Sequence, residues 1–147
     1  MAKKDEQRRQ AVDLFNYVWS LLDKKKRTRE EDDAMLHAAH ASRHHWGQVG
    51  KPVNLARGEW QVSRVYAVLK RAEPAQHHAR RCLEICRKHK IGDFDLAYAY
   101  EALARAAAVV GDRKNALRYR ELAEKVPIAK KEDREFFEKD LATVRKS

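Results

Sequence analysis

The sequence predicts an all-α protein of about seven helices in a single domain over residues 1–147. Three observations carry this. Ala, Leu, Glu, Lys and Arg dominate the composition, and all are helix formers. Five Gly and three Pro are few for the many turns of an all-β chain. Apolar residues recur with the 3.6-residue period in segments separated by connections of about two to six residues, which makes successive helices antiparallel neighbours.

The first helix is expected from about Asp5 to Lys24. Ala11, Val12, Phe15, Val18, Trp19 and Leu22 share one stripe, and the basic run Lys24 to Arg27 suits a helix C-terminus. Thr28 with Glu31 has the form of a capping box, so a second helix starts there and runs to Trp46. Gly47, Gly50 and Pro52 then mark a loop. The third helix spans Val53 to Arg71 with Gly58 inside it. A glycine there costs roughly 1 kcal/mol against alanine, so it signals either a close approach of the first or second helix or room for a ligand beside Arg57, Trp60 and the histidines of the second helix. Pro74 suits the first turn of a fourth helix reaching His89. Gly92 reads as the C′ glycine after it and Asp93 as the N-cap of a fifth. The fifth ends at Gly111. Asp112 caps a sixth that stops before Pro127. The seventh, Lys131 to Arg145, presents Phe137, Leu141 and Val144 on one stripe, as a helix covering the end of the stack would.

The chain has 32 Lys and Arg against 22 Asp and Glu, a formal net charge of +10, which favours an acidic partner or an anionic surface. Cys82 and Cys86 lie four apart in a helical pattern and cannot form a good disulfide within one straight helix. Free thiols, together with a start at Met1 to Arg9 that lacks the apolar stretch of a secretory signal, predict a cytoplasmic protein. No apolar run approaches the roughly 20 residues of a membrane span.

An internal repeat decides between a bundle and a solenoid. Residues 113–125 align with residues 76–88, an offset of 37, with matches at Ala116/Ala79, Arg118/Arg81, Glu121/Glu84, Leu122/Ile85 and Lys125/Lys88. Ala104 falls against Ala67 in the preceding helices. A two-helix unit of this period is a solenoid signature. The later unit resembles a tetratricopeptide motif. Counted from Ala97, Tyr100, Leu103, Ala104, Ala116 and Ala123 fall where that family places aromatic, Leu and small residues, and Gly111-Asp112 matches its turn. The pattern is degenerate: Arg120, Lys70 and Leu83 stand where the family has aromatics, and Pro127 comes one residue early. The resemblance covers roughly half of the chain.

The resemblance implies a right-handed stack of antiparallel helical hairpins with a C-terminal capping helix, in which the first helix of each hairpin lines a concave groove. It would place Tyr98, Glu101 and Arg105 there from one unit, and Arg57, Trp60, Gln61 and Arg64 from the unit before. The implied function is a scaffold binding a peptide, protein or small ligand, with arginines as carboxylate forks. Ordinary ion pairs of Glu101 with Arg64 or Arg105 are the structural alternative.

The second helix carries an unusual stripe. Asp33, His37, His40 and His44 share one face, while Met35, Ala39, Ser42 and Trp46 take the other and pack inward. Imidazole suits a divalent transition metal, so His37, His40 and His44 are metal-ligand candidates; acid–base or ligand-binding histidines, and packed or solvated structural ones, are the other readings. One helix cannot bring all three to one ion, because His37 and His44 are about 10 Å apart along the axis. A second helix must help, with Glu59 or Glu101 as donors. The same distance argument denies His78, Cys82, Cys86 and His89 a single zinc site, and with Ala75, Ala79 and Ile85 beside them the cysteines read as small core residues. The histidines together with Arg57, Trp60, Arg64, Glu101 and Arg105 leave an enzyme as the alternative function. Nucleic-acid binding comes third, since the basic residues are spread over amphipathic helices and match no recognition motif.

Overall fold

The computed structural model describes residues 2–144. Among them are seven α-helices and no β-strand: α1 (Ala2–Leu22), α2 (Arg29–Val49), α3 (Pro52–Val68), α4 (Ala72–Lys88), α5 (Asp93–Val109), α6 (Arg113–Lys125) and α7 (Lys131–Leu141). None is long and apolar enough to cross a membrane.

Small residues let consecutive helices approach closely. The Ser42 hydroxyl of α2 donates to the Ala11 carbonyl of α1 across 2.8 Å, with both residues buried. Arg8, near the start of α1, donates to the Val49 carbonyl at the end of α2, so the two run antiparallel. Ser63 of α3 donates to the Ala75 carbonyl of α4 in the same manner. Ala104 on α5 and Ala116 and Ala123 on α6 are buried. The pairs α1/α2, α3/α4 and α5/α6 make the broadest contacts, α3 also touches α5, and α7 packs on α5. One apolar cluster joins α3 to α7 around Trp60, Tyr98, Leu103 and Phe137, and another joins α1, α2 and α3 around Val18, Met35 and Val62. Full burial of side chains the size of Met35 or Phe137 stabilises by roughly 1.5–3 kcal/mol each.

The caps are largely where the residues place them. The Thr28 hydroxyl accepts from the Glu31 amide and the Glu31 carboxylate accepts from the Thr28 amide. Lys24 also pairs with Glu31, and that bond, with the Thr28 amide, holds the Glu31 carboxyl below its ordinary range. Asp112 accepts from the Asn115 amide and side chain.

Three helix ends share one motif. Arg71 donates to Tyr66, Ile91 to Cys86 and Asp112 to Ala107, while Lys70, Lys90 and Gly111 each donate three residues back. This is the Schellman pattern, which needs a left-handed residue after the helix. That residue is Lys70 (φ 61°), Lys90 (φ 54°) and Gly111 (φ 76°). Gly92, expected as the C′ glycine of α4, instead precedes α5 with an ordinary φ of −111°. Asp93, expected as an N-cap, is the first residue of α5, and its carboxylate accepts from the Phe94 and Ala129 amides. The loop expected at Gly47 starts later: α2 continues through Gly47 to Val49, and Gly50 caps it. Of the seventh helix, Arg145 lies outside the described residues. Phe137, Leu141 and Val144 are buried as their spacing predicts.

Candidate functional site

Side chains from α3, α5 and α7 meet at Glu101, which is completely buried. Trp60 Nε1 donates to Glu101 Oε1 at 2.8 Å and Arg105 Nε to Oε2 at 2.7 Å. Arg64 Nη1 lies 3.6 Å from Oε2. The two arginines also hold the end of α7. Arg64 Nη2 donates to Asp140 Oδ1 at 2.9 Å, and Arg105 Nη2 to the Thr143 hydroxyl at 2.7 Å and the Asp140 carbonyl at 3.2 Å. Burial pulls the Arg64 pKa down, but the charges of Glu101 and Asp140 outweigh it and hold the guanidinium above its ordinary value. Arg64 Nη1 and the Tyr98 hydroxyl are buried without a hydrogen-bond partner among the described residues. Burial, then the nearby Asp140 and Glu101 charges, pushes the Tyr98 hydroxyl well above the ordinary tyrosine range, so it stays a neutral donor.

Towards the N-terminal ends of α3 and α5 the same face is open and apolar. A cavity of about 340 Å³ lies between α1, α3, α5 and α7, walled by Phe15, Trp19, Trp60, Phe94, Tyr98 and Phe136. Its rings meet in tilted and edge-to-face pairs: Trp19 and Trp60 centroids lie 5.6 Å apart, Trp60 and Tyr98 5.3 Å. Ala56 and Cys82 also line it. The Cys82 thiol is raised by its contact with Cys86 and by burial, so it stands there uncharged. At the same cavity Arg57 Nε and Nη2 grip Asp95 Oδ1 and Oδ2 at 2.8 and 3.2 Å. Asp95 is largely covered, whereas the Arg57 side chain is 53% exposed. Its Nη1 makes no hydrogen bond among the described residues, so that nitrogen's two N–H donors stay available beside the aromatic walls.

A second polar group lies where α2, α3 and α4 meet. Glu59, 6% exposed, accepts from Arg43 Nε at 2.7 Å and pairs with His78 Nδ1 at 2.8 Å. Burial pushes the Glu59 carboxyl up, but the His78 bond and the Arg43 charge hold it below its ordinary value. His40 Nε2 meets the Tyr66 hydroxyl at 2.8 Å, and the His40 and His78 rings are 5.5 Å apart. Arg43 reaches Glu59 across Gly58; a Cβ there would lie 2.8 Å from Arg43 Cδ. This is the close approach of the second helix that the glycine signals.

The residues expected in a groove divide into three. Arg64, Glu101 and Arg105 come together, but as the ion pairs that were the structural alternative, and α7 covers them. Arg57, Trp60 and Tyr98 line the open cavity. Gln61 is 1% exposed and turns under α1, where its amide donates to the Phe15 carbonyl. The histidine stripe is not a covered face: His37, His40 and His44 are exposed. The three are not brought to one point, and among the described residues no group of three or more His, Cys, Asp or Glu is arranged to hold a metal ion. Glu59 and Glu101, the donors expected to complete such a site, are turned to Arg43 and His78 and to Trp60 and Arg105. Cys82 and Cys86 are core residues, as expected. Sequence reasoning missed Asp95, Asp140 and the part of the aromatic wall that Phe15, Trp19, Phe94 and Phe136 supply. Asp95 stands one repeat after Gly58, a turn from the groove positions, and that offset was its only signal.

No family model matches the chain, and neither the comparison with curated proteins nor that with solved structures gives a match.

Proposed function

We propose that this chain is a binding scaffold whose aromatic cavity takes an apolar or aromatic side chain from an acidic segment of a partner protein. The single observation that carries the reading is the cavity itself: six aromatic side chains around about 340 Å³, with the exposed Arg57 beside them. Aromatic walls with a few placed polar groups are the usual composition of a binding pocket. Arg57 offers its unused edge to a carboxylate without giving up Asp95. The net charge of +10 draws anionic partners and raises their rate of encounter. The succession of paired helices is what a tetratricopeptide-like stack with a terminal capping helix requires, and such a stack gives α3 and α5 a common inner face.

The reading is tested with fluorescein-labelled acidic peptides, each carrying one central Phe or Trp, followed by anisotropy. Saturable binding that falls about tenfold or more in Arg57→Glu, weakens with salt and disappears when the aromatic residue becomes Ala is the expected result. Binding that ignores both Arg57 and the aromatic residue contradicts it.

A further inference from the structure

The groove-facing ends of Arg64 and Arg105 are already holding a carboxylate, and it belongs to this chain. Asp140 lies against both guanidiniums, 2.9 Å from Arg64 Nη2 and 3.6 Å from Arg105 Nη2. One turn earlier Phe137 is inserted edge-on against Tyr98, centroids 4.9 Å apart, and Phe136 reaches Phe94 at the mouth of the cavity. Thus α7 supplies an aromatic residue and, three positions on, a carboxylate. It is also an acidic helix in a basic chain, with Glu132, Asp133, Glu135, Glu138 and Asp140 against Lys131, Arg134 and Lys139.

The fit is incomplete. With Asp140 seated, Arg64 Nη1 and the Tyr98 hydroxyl still have no hydrogen-bond partner, although both atoms are buried. Arg64 Nη1 keeps only its longer, 3.6 Å ion pair with Glu101 Oε2, and a buried donor without a hydrogen bond is costly, so a second acceptor would satisfy both donors better than one aspartate does. Both donors belong to side chains that touch α7.

We infer that Arg64, Tyr98 and Arg105 form a carboxylate-recognition site, that α7 occupies it as a resident mimic, and that the external occupant is an acidic helical segment of a partner protein with an aromatic residue three positions before a carboxylate. This rests on the reading of the groove given above and names the partner's pattern. A tethered helix has an effective concentration of the order of millimolar, so the partner's segment competes only when it satisfies the site better than Asp140 does, or when α7 is loosened. The connection that must yield is the stretch Val126 to Lys130, where Arg134 pins the start of α7 to the Glu124 and Val126 carbonyls.

The test uses the full chain and a synthetic peptide spanning residues 131–144, each with Asp140 or with Asp140→Asn, and measures peptide binding by isothermal titration. The Asp140→Asn chain is expected to take up the Asp140 peptide at least about tenfold more tightly than the Asn peptide, a difference of one charged pair, while the unmodified chain binds both weakly. Thr143→Ala, which removes the Arg105–Thr143 bond and the Thr143 hydroxyl's own bond to the Asp140 carbonyl but leaves the Asp140 carboxylate, is expected to admit the Asp140 peptide as well. It serves as the second loosened chain should Asp140→Asn lose helicity. Equal affinity of the two peptides, or no uptake by either loosened chain, overturns the inference. So does a concentration-dependent dimer of the unmodified chain formed through α7, which assigns the site to a second copy. Arg57→Glu separates this from the cavity reading. Uptake that survives Arg57→Glu keeps the carboxylate site and removes the cavity's part in it. Arg57-dependent peptide binding without uptake at Asp140→Asn removes the carboxylate site alone.

Discussion

The indole nitrogen of Trp60 donates to the buried carboxylate of Glu101 across 2.8 Å. One face of that indole walls the open cavity, so this bond ties the cavity to the ion-pair network under α7. Replacing Glu101 by Ala leaves Arg64 and Arg105, each 14% exposed, with Asp140 as their remaining counter-charge. The expected loss is roughly 3 kcal/mol, the lower end for breaking a buried pair. Glu101→Gln keeps an acceptor for Trp60 and costs less. Urea unfolding of the two variants checks the order; equal losses contradict it.

Gly58 and Gly47 both face Arg43, but at different atoms. A Cβ at Gly58 would meet Cδ at 2.8 Å, and one at Gly47 would meet the Nη1 tip at 3.1 Å. Nε of the same side chain is fixed to Glu59, so Cδ cannot swing away while the tip can. Gly58→Ala is expected to destabilise by about 1–2 kcal/mol as an overpacked contact. Gly47→Ala is expected to stabilise by about 0.5–1 kcal/mol through lower backbone entropy in the unfolded chain. Thermal melts of the pair test this; a stabilised Gly58→Ala contradicts the packing account.

Lys90 closes α4 in the left-handed region with φ 54°, where Gly111 closes α5. An L-residue there costs roughly 1–2 kcal/mol. Lys90→Gly is therefore expected to raise stability by about 1 kcal/mol, and Gly111→Ala to lower it by a similar amount. The midpoint of urea unfolding measures both; an unchanged or lowered midpoint in Lys90→Gly contradicts the strain.

His40 is exposed as a residue, but partial desolvation of its ring against α3 and α4, and then the His78 and His37 charges, hold it below its ordinary value of 6.5, with Glu59 opposing. Arg43 and Tyr66 complete the groups facing it. The unfolded chain therefore binds this proton more readily than the folded one, so stability falls as pH drops from about 6.5 towards the folded value. Glu59 is held below 4.5; its contribution is present above that value and is lost only in stronger acid. Between about pH 7 and 5, His40→Asn is expected to flatten the decline in the unfolding midpoint. Parallel curves for the two proteins contradict the assignment.

The helices were legible because their signals are local. Thr28 with Glu31 and Asp112 with Asn115 cap within one turn, and the apolar stripes of α1 and α7 depend only on the helical period. The meeting of Arg64 with Glu101 was legible through the repeat, since the two positions stand one period of 37 apart. What could not be read depends on how distant elements dock. Asp140 reaches Arg64 only because α7 turns back onto α5, and Phe15 and Trp19 reach the cavity only because α1 lies along one side of it. Gly92 misled because glycine preference is statistical, and the Schellman bonds of α4 are made by Lys90 and Ile91, before Gly92 is reached. The histidine stripe left its role open because the 3.6 period says which residues share a face, not what covers it.

The aromatic cavity as the binding site is tested most directly by ¹⁹F NMR of the chain labelled with fluorotryptophan. Trp19 and Trp60 wall the cavity, while Trp46 lies outside it on α2 and serves as the internal control. Titration with an acidic peptide carrying a central Phe is expected to shift the Trp19 and Trp60 resonances together and saturably, with Trp46 unmoved. Binding that leaves Trp19 and Trp60 in place, or that moves Trp46 alone, contradicts the account.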